Sequence, residues 1–192
     1  MFLDDVKRLV EHYFLAALQQ LQKEFTVETS PIRNFLGCNM SFRREAFEAA
    51  GGFDTSVGRV GARPVGGEET EFCIRVRRAV PGAELVYEPR AVVRHSVPAG
   101  RATWAYFRAR CFAEGLSKAI VGRLAGTDAG LSSERRYATS TLPRGVVANV
   151  VGAIRRRESV GVLRAAAIIG GLAVTTVGYA WGVVFEWVRR GV

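Results

Sequence analysis

Cysteine is too scarce in this chain to hold it together: Cys38, Cys73 and Cys111 are odd in number and show no C-x-x-C spacing. A disulfide scaffold and a cysteine-built zinc site are both excluded, and buried thiols in a reducing compartment are expected. Histidine is limited to His12 and His95. A secretory signal is missing too, because Met1 is followed at once by Asp4 and Asp5 and then by a helix-period pattern, not a continuous apolar run. The N-terminus is therefore expected to stay in the cytosol. With 48% hydrophobic and 23% charged residues, the composition excludes a disordered tail, a collagen-like fibre and a polytopic membrane protein. A length of 192 residues suits one domain with a real core and not two complete ones.

The net charge of +9 is absent from the first half. Residues 1–100 carry 13 basic and 13 acidic groups, whereas residues 101–192 carry 14 and 5, so the whole excess is C-terminal. Such a segment suits an anion, whether nucleic acid, a phosphorylated substrate or an anionic lipid surface. No nucleic-acid motif or interleaved aromatics accompany the arginines, and nucleic acid is set aside. Arginines beside an apolar run fit lipid headgroups.

Three regions follow from patterning. Residues 1–29 hold an amphipathic helix, with Val6, Leu9, Val10, Tyr13, Phe14, Ala17, Leu18 and Leu21 on one face. His12 sits within it and reads as an ordinary surface or core residue. Residues 30–125 carry a short buried strand from Phe35 to Phe42, a brief helix Arg44–Ala50 closed by Gly51-Gly52, and a glycine-rich loop. A helix from Glu68 to about Val80 is next, then strands Leu85–Tyr87 and Ala91–Val93, then a helix over roughly Ala102–Val121. Residues 126–192 form a basic helical region. Arg155, Arg156, Arg157 and Arg164 precede an uncharged run of 21 residues, Ala165–Phe185, and Arg189-Arg190 follow it. That run is long enough to span a bilayer, while its four glycines and two threonines equally suit an interfacial helix or one folded onto the domain. If it spans, the arginine bias keeps residues 1–164 on the cytoplasmic side.

Two features carry candidate chemistry. Gly66-Gly67-Glu68-Glu69-Thr70-Glu71 hands three carboxylates to the first turn of a helix. Acidic residues are favoured there by the helix dipole, with Arg75, Arg77 and Arg78 completing the pattern at the other end. The same arrangement lets the backbone approach a ligand while one carboxylate acts as general base. The second feature is His95, at the end of a predicted strand and before the turn residues Ser96, Pro98 and Gly100.

The order of segments says more than any one of them: GCNMSFRREAFEAAGGFD at 37–54, GGEETEFCIR at 66–75 and YEPRAVVRH at 87–95. Over about residues 30–120 this succession resembles the C-terminal, acceptor-side half of family 2 glycosyltransferases of the GT-A fold, and is similar to galactosyltransferase C-terminal domains. The fold class implied is α/β, an incomplete GT-A type of short strands and flanking helices followed by a membrane-associated helical segment. The resemblance implies that Glu69, where relatives commonly carry Asp, is the catalytic base, and that Glu68 binds the acceptor sugar. It also implies that His95 ligates Mn2+ or Mg2+, and that Gly37, Asn39, Gly66 and Gly67 line the same cleft. The reaction implied is inverting transfer from a nucleotide sugar to a glycan or lipid-linked acceptor. A donor-binding half with an Asp-x-Asp motif would precede residue 30 and is not present; Asp4-Asp5 lacks that spacing. The expectations are a fragment of a longer protein, a truncated gene product, or one component that needs a separate donor-binding chain; a non-catalytic remnant or membrane-bound interaction module is the alternative reading. The catalytic reading expects Glu69 and His95 to converge on one cleft.

Overall fold

The structure, a computed structural model, describes residues 28–58, 65–94, 96, 98–126, 135, 137–157 and 159–190. The expected N-terminal helix with His12 and Asp4-Asp5, the middle of the glycine-rich loop and His95 all lie outside these residues.

Helices dominate. Strand β1 (Ser30–Pro31) pairs antiparallel with β2 (Val86–Tyr87), Ser30 opposite Tyr87 and Pro31 opposite Val86, and this is the whole sheet among the described residues. The helices are α1 (Arg44–Ala50), α2 (Glu68–Ala79), α3 (Trp104–Ala125), α4 (Leu142–Arg156) and α5 (Ser159–Arg190). This is compatible with part of an α/β fold. Local chemistry sets the ends. Gly51, at φ 76°, closes α1 with its N–H on the Phe47 carbonyl. Thr103 caps α3 by accepting the Tyr106 N–H at 3.2 Å. No side chain caps α2, whose first turn instead holds Glu68, Glu69 and Glu71 against the dipole.

Two expected strands are not formed. Residues 35–42 make a tight turn, Asn39 N–H to Leu36 carbonyl at 2.9 Å, in which Phe35 and Phe42 are partly covered by folding over α2 and not by strand pairing, while Leu36 stays exposed. Phe42 packs on Phe72 (ring centroids 4.8 Å), Phe35 on Phe42 (5.0 Å), and Phe47 and Phe53 close over Phe72 at 4.9 and 4.7 Å. Residues 91–93 also lack a ladder. Glu88 binds the Arg90 backbone N–H and its guanidinium, which bends the chain just after Pro89, and Val92 is left 79% exposed. Nor are all the thiols buried: Cys73 is, Cys111 is half-buried, and Cys38 is exposed on the turn.

Phe72 has no exposed surface and is the hub of this aromatic cluster. Phe72→Ala should cost about 3–5 kcal/mol, the usual range for emptying such a site, and a urea unfolding midpoint would measure it. Arg75 locks the post-α1 loop onto α2: it donates to the Ala50 and Gly52 carbonyls and makes a two-pronged pair with buried Glu71, both contacts at 2.7 Å.

The other half of the molecule is a helix stack. Gly115 of α3 lies so close to α5 that a Cβ would strike the Thr175 carbonyl oxygen. A Cβ on Gly178 would strike the Phe112 carbonyl oxygen, and one on Gly182 would lie 2.8 Å from the Ala119 methyl. Small residues let the two backbones touch, as they do in tightly crossed helices. α4 joins through Gly161, against Asn149 and Ala153, and Gly145, against Ile168.

Candidate functional site

The glycine pair ahead of α2 is shaped by α3. Ser117, 2% exposed, accepts the Gly66 N–H at 2.9 Å and donates to the Ala113 carbonyl at 2.8 Å. Gly67 adopts φ +101°, where a side chain would be strained and its Cβ would stand 2.9 Å from the Val121 methyl. Glycine at this position is thus a requirement of both backbone and packing. The turn it makes delivers Glu68 and Glu69 to the head of the helix in different directions.

Glu69 points at the 36–39 turn. A Cβ on Gly37 would lie 3.7 Å from its carboxyl carbon and from Oε1, so the bare glycine leaves that carboxylate an open flank. Burial pushes the Glu69 carboxyl above its ordinary range, and the Glu68 and Glu114 carboxylates add to the effect. A backbone hydrogen bond to its own N–H and the Lys118 ammonium oppose it. Glu68 turns toward Gly58, whose Cβ would lie 3.1 Å from Glu68 Oε2, and that oxygen is buried with no hydrogen-bond partner.

Behind Glu69 stands a charged row on α3. Glu114 pairs with Arg110 at 2.6 Å and with Lys118 at 3.1 Å. Burial opposes its charge, but Lys118 and Arg110 outweigh that and hold its carboxyl below the ordinary value. Sequence reading picked out the apolar positions of α3 and passed over this row. The four-residue spacing of Arg110, Glu114 and Lys118 is the signal that could have found it; the role of Ser117 has no sequence signal.

Gly37 and Glu69 therefore come together, with Gly66 and Gly67 forming the turn before α2, while the Glu68 carboxylate points away toward Gly58. Asn39 sits in the same turn as Gly37 but commits its amide to the Ala91 carbonyl at 2.5 Å, tying the turn to the segment that leads to residue 95. Among the described residues no three His, Cys, Asp or Glu side chains converge to hold a metal ion, and His95 is outside them. A hollow of about 430 Å3 beside Glu71, Ile74, Arg75 and Arg78 belongs to the opposite flank of α2, about half a turn from Glu69.

This half-buried carboxylate, its pKa raised by desolvation and its flank bared by a glycine, has the chemistry to take a proton from a hydroxyl. No family model matches the chain, and no solved structure matches it. It is 32% identical over 114 residues, 59% of its length, to the glucosyl-dolichyl phosphate glucuronosyltransferase of Haloferax volcanii. The matched stretch is 36% of that relative, so the chain spans about a third of the enzyme it resembles. The likeness supports a glycosyltransferase family for this chain.

Proposed function

We propose that the chain is the acceptor-side, base-carrying half of an inverting, nucleotide-sugar-dependent glycosyltransferase of GT-A type, working at the cytoplasmic face of a membrane. The observation that carries the reading is the half-buried carboxyl of Glu69, set at the head of α2 and beside Gly37, whose missing side chain leaves it room. In the reaction Glu69 accepts the proton of an acceptor hydroxyl as its oxygen bonds to the anomeric carbon. The bond from that carbon to the diphosphate breaks on the opposite face, and the nucleoside diphosphate leaves with the electron pair. A raised pKa makes Glu69 the stronger base toward the acceptor hydroxyl. The relative's name specifies a glucosyl-dolichyl phosphate and a glucuronosyl group; for this chain we take a lipid-linked sugar as the acceptor class. α5 is long and apolar enough for membrane association, with a mean hydropathy of 1.9 in an 18-residue window of Ser159–Phe185. Glu68 and Glu69 alone do not form a cation site, so Mn2+ or Mg2+ belongs in this reading with His95 and a donor-binding region.

The test is transfer of labelled sugar from a panel of nucleotide sugars to a polyprenyl-phosphate-linked glucose. The purified chain is assayed alone and with a donor-binding domain, each with Mn2+ or Mg2+. Product that appears and is lost in Glu69→Gln supports the proposal. Neither product nor nucleotide-sugar binding under any condition would make the chain a non-catalytic remnant or interaction module.

A pH profile tests the electrostatics. Glu114→Gln removes a negative neighbour of Glu69 and releases Lys118 from its pair, and both changes favour the ionised base. The acid limb of kcat/KM should therefore move to lower pH, and an unmoved or rising limb would show that Glu69 is not the titrating group.

A further inference from the structure

Granting the membrane association proposed above, we infer that α5 lies in the plane of the bilayer surface and does not cross it. Its outer face rests on anionic lipid, and α3 lies on its inner face as a second layer.

The register of the helix seam carries the argument. Phe112 meets Gly178, Gly115 meets Thr175 and Tyr179, and Ala119 meets Gly182, so α3 runs alongside α5 in the same direction at backbone contact. Whatever depth residues 175–182 reach, residues 108–123 of α3 must reach as well. That stretch holds Arg108, Arg110, Glu114, Lys118 and Arg123, of which Arg108 and Arg123 are exposed. α4 adds exposed Arg144, one residue from the Gly145–Ile168 contact, which lies at the N-terminal end of the apolar run. A spanning α5 would carry these charges into hydrocarbon, where each is costly. An in-plane α5 leaves all of them above the acyl chains.

The exposed side chains fit that orientation. Val162, Leu163, Ile169, Val177, Trp181 and Val184 are about half exposed or more and fall within one third of the helix circumference, opposite Thr175, Gly178 and Gly182, and Val183 and Phe185, similarly exposed, flank that sector on either side. α4 exposes Val147, Val151 and Ile154 at one-face spacing, with Arg144 before them and Arg155, Arg156 and Arg157 after. Apolar residues bounded by arginines are the pattern of a helix lying at an anionic interface.

The layering has a consequence for the site. The flank of α3 away from α5 holds Gly66 through Ser117 and Gly67 through Val121. Glu69 thus sits on the second helix layer above the membrane, each layer adding on the order of 10 Å. A sugar carried on a membrane lipid phosphate presents its hydroxyls at such a height.

The experiment uses the full chain with Trp104 and Trp187 changed to Phe. The only tryptophan is left at 181, or moved to 169 or 177. Quenching is read in phosphatidylcholine–phosphatidylglycerol vesicles with bromine placed at graded acyl depths. In-plane binding gives all three positions the same shallow depth, within roughly 5–10 Å of the headgroup boundary. Depths that differ between 169 and 181 by an amount approaching ~18 Å, the rise of twelve helical residues, overturn the in-plane arrangement while leaving membrane association intact. Failure to bind any vesicle overturns both. Replacing Arg155, Arg156 and Arg157 with Gln should lower partition onto the anionic vesicles by about a hundredfold and leave partition onto pure phosphatidylcholine unchanged. Equal partition of variant and parent removes the anionic surface as the partner.

Discussion

Glu69→Gln is expected to reduce sugar transfer by about 10²–10⁴-fold, the usual contribution of a positioned general base, and to leave acceptor binding nearly unchanged. The amide keeps the shape of the carboxyl and its place beside Gly37 but cannot take the proton. The same substitution should raise stability at neutral pH. Burial lifts the Glu69 pKa above its ordinary 4.5, so the folded state holds that proton more tightly than the unfolded chain does. Its stabilising contribution is complete below 4.5 and is lost as pH rises through the folded value. Above that value the parent carries the cost of a partly desolvated carboxylate, which Gln lacks. Thermal melts should show Glu69→Gln ahead of the parent at neutral pH and level with it in acid. A variant that is both inactive and less stable at pH 7 would assign Glu69 a structural role.

Gly115→Val is expected to damage the helix stack severely although it lies outside the site. The obstacles are the Thr175 carbonyl, the Tyr179 amide and the Gly178 carbonyl carbon, all backbone, so no side chain can swing aside. Overpacking costs typically about 1–3 kcal/mol and more where the surroundings cannot move, as here. A loss of about 3 kcal/mol corresponds to a fall in Tm of roughly 6–12 °C for a chain of this size. Transfer should fail with it, because Ser117 and Val121 shape the Gly66–Gly67 turn from the same helix. Gly170→Leu is the matched control: nothing lies within 4 Å of its Cβ position, and its melting temperature should stay close to the parent's.

Much of the local structure was legible. α1 runs over Arg44–Ala50 as its glycine stop predicts, and α2 begins at Glu68 where the acidic turn follows the glycine pair. α3 extends to Ala125, four residues past the expected end, because Gly126 and not Gly122 stops it; Gly122 is buried within the helix. The strand reading of 35–42 failed for a different reason. A short run containing Phe35, Leu36, Met40 and Phe42 has no period that separates a buried strand from a turn whose rings share one hub, and Phe72 lies thirty residues away in sequence. The site was partly legible in the same way. The carboxylates and glycines stood out by type and order, while Arg110, Glu114, Ser117 and Lys118 read as the polar side of an ordinary helix.

By itself the sequence determined what is local or compositional: where helices start and stop, which acids crowd one helix head, and that the positive charge and the apolar run share the C-terminal half. These follow from backbone preference, dipole and hydrophobicity, which act over a few residues. Only the tertiary structure decided that Glu69 faces Gly37, that Ser117 holds the turn before it, and that the apolar helix lies backbone to backbone with a charged one. Contacts between residues 37 and 69, 66 and 117, or 115 and 178 depend on how separate surfaces fit, and small side chains at a seam carry no sign of which partner they admit.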